Sequence, residues 1–96
     1  MTKADIVAKI AERTGQEKSD VQVTVEAFMA EVKSSLEVGD NVYLRGFGSF
    51  IIKERAEKTG RNISKNTTII IPAHNIPSFK PAKVFVDGVK TKVAVK

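Results

Sequence analysis

Cysteine is absent from this 96-residue sequence, and histidine occurs once, as His74. Without cysteine the chain can form neither disulfides nor thiolate metal sites, and a single histidine cannot complete a zinc site alone. No apolar run reaches the roughly 20 residues of a membrane-spanning helix. The residues after Met1 turn polar at once, where a signal peptide would continue with an apolar stretch. We therefore expect a soluble, cytoplasmic protein that binds no membrane, metal or other cofactor.

A catalytic constellation is also missing. Gly46 and Gly48 lack the third glycine of a dinucleotide-binding loop, and they precede a predicted strand instead of a helix. Ser49 has no evident base, and the acidic residues fall mainly on the outer faces of the first two predicted helices. We therefore expect no catalytic residues and no enzymatic activity.

Acidic residues are scarce in the second part of the chain. Residues 1–40 contain five Lys and Arg against eight Asp and Glu, a net charge of −3. Residues 41–96 contain eleven against three, a net charge of +8, which accounts for the overall +5. A basic part beside a mildly acidic part is typical of a protein that binds a polyanion such as nucleic acid. Charge alone also fits a small basic protein with solvated lysines, so the placement of the basic residues matters more than their number.

The chain length fits one domain, residues 1–96, and its first element is a helix. Thr2 and Asp5 have the spacing of a capping box, which marks the beginning of a helix. Gly15 stands where a helix C-terminal cap is expected. Together these residues predict a helix over 3–14.

A second, longer helix follows. Ser19 and Gln22 repeat the capping-box spacing in front of an apolar stripe. The stripe keeps helical spacing over almost five turns and consists of Val21, Val25, Phe28, Met29, Val32 and Leu36. The two helices predict a helical hairpin over 1–40.

The apolar period then changes to two, which predicts β-structure over 41–81. The turn at 46–48 contains Phe47 between two glycines. A phenylalanine at a turn tip is unfavourable in a monomer, so we expect a partner subunit to cover it. A short helix over 82–90 and a frayed tail over 91–96 complete the predicted domain.

Residues 56–67 contain one large apolar side chain, Ile63, and cannot form a core of their own. Because β-rich sequence lies on both sides, the pattern predicts a two-stranded arm over about 53–75 that folds back near 63–66. An isolated two-stranded ribbon is marginally stable in water, so we expect a ligand to order it.

Basic residues recur along this arm, and they are Lys53, Arg55, Lys58, Arg61 and Lys65. The strand period of two places Lys53 and Arg55 on one face, from which cations can contact phosphates on both walls of a groove. Minor-groove proteins insert apolar side chains such as Ile63 between base pairs as a wedge that kinks the duplex. A solvated loop without a ligand is the alternative interpretation of the same segment.

The sequence resembles the HU/integration host factor family of bacterial DNA-architectural proteins from Met1 to about Lys90. The resemblance is carried by Arg45-Gly46-Phe47-Gly48-Ser49-Phe50, Glu54-Arg55-Ala56, Gly60-Arg61-Asn62, Ile71-Pro72-Ala73 and Pro77-Ser78-Phe79-Lys80-Pro81-Ala82-Lys83. These segments are specific together, whereas any one of them alone is not. The family usually has proline after Gly-Arg-Asn, and Ile63 stands there in this chain, without the rigid ring and with its N–H retained.

The resemblance implies an α+β fold, an intertwined homodimer with a helical-hairpin base, a β-sheet platform and two protruding β-ribbon arms. It implies a histone-like, nucleoid-associated protein whose arms enter the minor groove of double-stranded DNA. Such a protein wraps, bends and compacts DNA with little sequence preference, and it prefers bent, nicked or junction DNA. The DNA-binding residues expected on these grounds are Lys3, Lys53, Arg55, Lys58, Arg61, Asn62, Ile63, Lys65, Lys80 and Lys83. The expected dimer and core residues are Phe28, Phe47, Phe50 and Phe79.

Within the family, HU is favoured over integration host factor because no residues indicate dedicated recognition of base edges. A basic RNA-binding or ribosome-associated protein is the alternative from another class. RNA-binding proteins usually stack bases on exposed aromatic side chains, and the arm has none between Phe50 and Phe79.

Overall fold

The computed structural model describes residues 1–62 and 67–95, and for residues 61 and 62 it describes the backbone alone. It contains three helices and five strands within these residues, and the predicted α+β class is confirmed. In chain order the elements are α1 (Lys3–Thr14), α2 (Lys18–Glu37), β1 (Val42–Leu44), β2 (Gly48–Arg55), β3 (Lys58–Asn62), β4 (Thr67–Ile71), β5 (His74–Pro81) and α3 (Lys83–Lys92).

Helix α1 has the predicted bounds, and its ends show why. The Thr2 hydroxyl accepts a hydrogen bond from the Asp5 N–H at 3.3 Å, and the Asp5 carboxylate accepts one from the Thr2 N–H at 2.9 Å. Gly15 has a left-handed conformation at the other end, with φ 75°, and its N–H donates to the Ala11 carbonyl. Both caps satisfy backbone groups that the helix itself leaves unpaired.

Helix α2 begins one residue before Ser19, so the second predicted capping box is wrong. Glu17 occupies the N-cap position and makes no hydrogen bond through its side chain. Its carbonyl accepts the Val21 N–H at 3.0 Å, which starts the helical ladder upstream of Ser19. Ser19 therefore lies inside the first turn.

Strands β1, β2 and β5 form a three-stranded antiparallel sheet with β2 in the centre. Gly48, at the start of β2, lies opposite both Leu44 and Pro81. A Cβ at Gly48 would lie 2.6 Å from the Lys80 carbonyl oxygen and 2.6 Å from the Phe79 ring. A side chain cannot be accommodated there, so the close approach of β5 to the turn requires glycine.

The arm continues from this sheet as a ribbon of two strands. Strand β1 is short, so beyond Phe50 strand β2 pairs with β5 alone, as far as Arg55 opposite His74. After short connections on both sides, β3 and β4 form a separate two-stranded sheet that pairs Lys58 with Ile71 and Asn62 with Thr67. The predicted reversal at 63–66 lies outside the described residues.

Helix α3 ends at Lys92, two residues beyond the predicted end at 90. The Thr91 hydroxyl donates to the Asp87 carbonyl at 3.0 Å, and the Val93 N–H donates to the Val89 carbonyl at 2.9 Å. Basic residues in the last helical turn also interact favourably with the helix dipole. These interactions extend the helix into the segment that the sequence predicted as a frayed tail.

Phe47 packs partly against its own chain, and its expected cover by a partner subunit stays a prediction. Its ring stacks on Phe85 at a centroid distance of 5.6 Å and contacts Phe79 at 5.1 Å. Phe79 in turn contacts Phe50 at 4.9 Å. Phe47 nevertheless remains 45% exposed, and Phe28 lies apart from this cluster on α2 and is 46% exposed. The aromatic cluster therefore joins the turn, the sheet and α3, but it does not bury Phe47.

The single chain buries few of its apolar side chains. Among the described residues, Val7 and Val21 between α1 and α2 are the only buried hydrophobic side chains. The radius of gyration is 18.8 Å, whereas a compact chain of about 100 residues has a radius of about 13 Å. No helix in the described part of the chain is long and apolar enough to cross a membrane.

Candidate nucleic-acid interface

Basic side chains form a row at the root of the arm. Lys53 lies opposite Ile76 and Arg55 lies opposite His74 in the β2–β5 pairing. Lys53 and Arg55 are two residues apart on one strand, so they share a face as the sequence predicts. Lys58 follows at the beginning of β3, and with Arg55 it lines a shallow cleft of about 260 Å³. The arm therefore presents closely spaced cations where it leaves the sheet.

A second basic cluster lies beside the turn that contains Phe47. Arg45, Lys80 and Lys83 line a cleft of about 480 Å³ between this turn and the beginning of α3. The register that pairs Ser49 with Lys80 brings the turn and β5 together. Ala82, at the N-cap of α3, provides no side-chain acceptor for the first N–H groups of the helix. A helix N-terminus favours anions, so its dipole adds to the charge of the three side chains.

Arg45 was not among the predicted DNA-binding residues. It precedes the glycine turn and is separated from Lys80 by 35 positions. Nothing in the local pattern indicates that these two residues line one cleft. The local sequence shows only a charged residue next to a turn. The strand register is what brings Arg45 and Lys80 to one cleft.

Lys3 has a different environment from the other predicted contacts. Its ammonium lies 2.7 Å from the Glu26 carboxylate, and both side chains are about half exposed. This hydrogen bond and the charge of Lys3 lower the pKa of Glu26 from its ordinary value. A phosphate would have to replace this carboxylate to contact Lys3. The Lys3–Glu26 pair is the only ion pair among the side chains that the structure describes.

Four predicted DNA-binding residues lie wholly or partly outside the described residues. The backbones of Arg61 and Asn62 lie in β3, opposite Thr68 and Thr67. Their side chains lie outside the described part, as do Ile63 and Lys65 entirely. Their proposed contacts stay predictions.

Within the described residues, acidic groups do not gather in a way that suggests metal chemistry. Among residues 1–62 and 67–95, no three His, Cys, Asp or Glu side chains come close enough to hold a metal ion. The clefts at the arm root and beside the turn are lined by cations and not by carboxylates. The arrangement can therefore bind anions through charge and hydrogen bonds.

Comparison with known proteins identifies relatives over nearly the whole chain. Residues 1–90 match the family model described as bacterial DNA-binding protein. The DNA-binding protein HU of Thermus thermophilus is 42% identical over 90 residues, which is 94% of this chain and 93% of that protein. Integration host factor subunit alpha of Aliivibrio fischeri is 41% identical over 83 residues, covering 86% of this chain and 85% of the relative.

Solved structures agree with the sequence relatives. The chain of HU in an Anabaena HU–DNA cocrystal structure superposes with a TM-score of 0.87 at 32% identity, covering 98% of this chain and all of that one. HU from Thermotoga maritima has the same fold, with a TM-score of 0.65 at 24% identity over 93% of this chain. The resemblance inferred from the sequence is confirmed, and the chain belongs to the bacterial DNA-binding protein family that includes HU and integration host factor.

Proposed function

We propose that two copies of this chain form an intertwined homodimer that wraps, bends and compacts double-stranded DNA with little sequence preference. The observation that carries the proposal is the row of cations on a ribbon that has no core of its own, in a chain similar over 98% of its length to HU in a DNA complex. As a member of this family the chain is a DNA-binding protein and not an enzyme.

The distribution of paired and unpaired charge supports phosphate as the ligand. In the described part of the structure, no acid forms an ion pair with Arg45, Lys53, Arg55, Lys58, Lys80 or Lys83. Unpaired lysines and arginines release counterions from DNA when they contact phosphates, which supplies most of the affinity of sequence-tolerant binding. The cleft between the Phe47 turn and α3 and the root of the arm would contact the DNA backbone at separate points along the duplex.

The exposed apolar surface supports the dimer. A groove of about 650 Å³ runs between the end of α2, β2 and β5, and Leu36, Phe50 and Pro77 are among its lining residues. Phe28, Met29 and Phe85 are each 39% exposed or more in the single chain. A water-exposed surface of this kind is typical of an interface. The second copy is the occupant that the family relationship favours, and it would cover the groove and complete the core.

We infer the contacts of the arm tip from the sequence. Ile63 would insert between base pairs, and Arg61, Asn62 and Lys65 would contact the backbone around it. Lys3 would contact the flanking DNA after exchanging Glu26 for a phosphate. We place the protein in the cytoplasm, associated with the nucleoid, and we favour an HU-like over an integration-host-factor-like role. The alternative of an RNA-binding or ribosome-associated protein has no support among these relatives.

One experiment tests the function directly. The affinity of the full-length protein is compared for linear duplex, nicked duplex, four-way junction and duplex RNA at the same salt concentration. We expect tighter binding to nicked and junction DNA than to linear DNA, and the weakest binding to RNA. Equal or stronger binding to RNA would contradict the proposal.

Sedimentation equilibrium at micromolar concentration provides the second test, and a well-folded monomer there would contradict the homodimer.

A further inference from the structure

The only histidine of the chain lies at the root of the arm. His74 is the first residue of β5 and lies directly opposite Arg55, the last residue of β2. Residues directly opposite each other in an antiparallel pair have their side chains on the same face. His74 is therefore on the face that carries Arg55 and Lys53.

The cleft around His74 contains other basic groups. It is lined by Arg55, Lys58 and His74 together with the apolar Ala56, Ile71 and Ile76. Glu54 is next to Arg55 on the strand, so strand alternation directs it to the opposite face, and Glu57 lies in the connection to β3. Strand β4 contains no charged residue. No carboxylate is among the described residues that line the cleft, and protonated His74 would face an anion there as a third cation beside Arg55 and Lys58.

The hydrogen bond of His74 determines which ring nitrogen carries no proton in the neutral ring. Nδ1 lies 3.0 Å from the Pro72 carbonyl oxygen, and since a carbonyl only accepts, Nδ1 is the atom that carries the hydrogen. In the neutral ring Nε2 is then an acceptor and cannot donate to a phosphate. Protonation adds a positive charge to the ring and turns Nε2 into a donor.

We propose that His74 is a further DNA-backbone ligand, which contacts a phosphodiester beside Arg55 and Lys58 only when its imidazole is protonated. The proposal rests on the DNA-binding function proposed above and adds a dependence on pH. Imidazole is the side chain whose charge ordinarily changes between about pH 5 and 8. A phosphate in the cleft stabilises the imidazolium, so binding takes up protons and strengthens as the pH falls.

The test compares the full-length wild-type protein with His74→Gln, which is polar and of similar size but does not titrate. Affinity for a short linear duplex is measured at about pH 5.5 and about pH 8 at one ionic strength. The quantity compared is the ratio of the two affinities, because this ratio cancels any general loss caused by the substitution. We expect a ratio of about ten for the wild type, since each dimer gains two charge-assisted contacts, and a ratio near one for His74→Gln.

The salt dependence and a second variant sharpen the test. Each added phosphate contact steepens the slope of log K against log salt by about 0.9, so the wild-type slope should steepen by about two at the lower pH. His74→Lys carries a permanent charge, and it should show the steeper slope at both pH values. A wild-type ratio that persists in His74→Gln would overturn this inference while leaving DNA binding intact. If the wild-type protein binds DNA at neither pH, the proposed function is overturned as well.

Discussion

The helical hairpin and the arm are held together in different ways. Residues 1–40 carry a net charge of −3 and contain Val7 and Val21, the two hydrophobic side chains that are buried in the described part of the chain. In the described part of the arm, β3 and β4 pair only with each other, and three consecutive isoleucines on β4 are 43 to 64% exposed. A region with a core keeps its shape without a ligand, whereas a ribbon without one can adapt to the surface that it binds. We therefore expect substitutions in the hairpin and the sheet to change stability, and substitutions in the arm to change DNA binding.

The largest difference in stability should appear between substitutions at two glycines, one in the sheet and one on the arm. Gly48→Ala places a Cβ 2.6 Å from backbone and ring atoms that have little room to move, so it should destabilise the fold by about 3 kcal/mol or more. Gly60→Ala on the arm is the matched control, because its nearest atoms would be 3.9 Å away. Chemical denaturation followed by circular dichroism measures both variants. Equal stability losses would mean that the arm shares the core.

The next largest effect should distinguish buried from exposed apolar side chains. Val21→Ala removes two methyl groups from a site that is 2% exposed, which should cost about 2 kcal/mol per chain. Ile70 is 64% exposed on β4, so Ile70→Ala should change the unfolding free energy by less than about 0.5 kcal/mol. Thermal and chemical unfolding of the two variants provide the measurement. A large loss for Ile70→Ala would indicate that the arm packs against something in the free protein.

Substitutions in the arm should weaken DNA binding more than substitutions in the helical hairpin. Arg55→Ala removes one phosphate contact per arm, so the slope of log K against log salt should flatten by about two per dimer, independently of DNA sequence. Arg13→Ala is the control, since Arg13 lies in the last turn of α1, within the acidic part. Loss of affinity for one sequence alone would instead indicate base recognition and favour an integration-host-factor-like role.

The predicted wedge should affect DNA geometry and leave stability unchanged. Ile63→Ala should reduce duplex bending, because unstacking a base step costs on the order of a few kcal/mol that the inserted side chain helps to offset. Fluorescence energy transfer between the ends of a short duplex measures this bending for the wild type, Ile63→Ala and Ile63→Pro. Equal bending by the wild type and Ile63→Ala would remove Ile63 from the mechanism. Sharper bending by Ile63→Pro would assign a role to the rigid ring.

The smallest effect should come from the ion pair on the helical hairpin. The pKa of Glu26 is lowered by its hydrogen bond to Lys3, so this pair contributes stability above the ordinary value of 4.5 and loses it as the pH falls through the lowered pKa. Glu26→Gln should therefore differ slightly from the wild type at neutral pH and low salt, and the difference should vanish in acid or at high salt. Urea denaturation at several pH values measures it. A difference that grows in acid would contradict this assignment.

Local sequence patterns predict an element correctly where the interactions that form this element are themselves local. Thr2, Asp5 and Gly15 set the ends of α1 because caps act within one helical turn. The same logic failed at Ser19, where the Glu17 carbonyl started α2 earlier. It also missed the last turn of α3, which backbone and hydroxyl hydrogen bonds extend to Lys92.

The sequence by itself determined the two helices, the change to β-structure, the basic arm and the family. Only the tertiary structure decided which distant side chains meet. The β2–β5 register places His74 opposite Arg55 and Lys80 opposite Ser49, and the packing of α1 on α2 places Lys3 beside Glu26. The physical reason is that periodicity determines the face on which a residue lies, whereas strand register and helix packing determine its neighbour. These depend on contacts between segments tens of residues apart, which no local pattern contains.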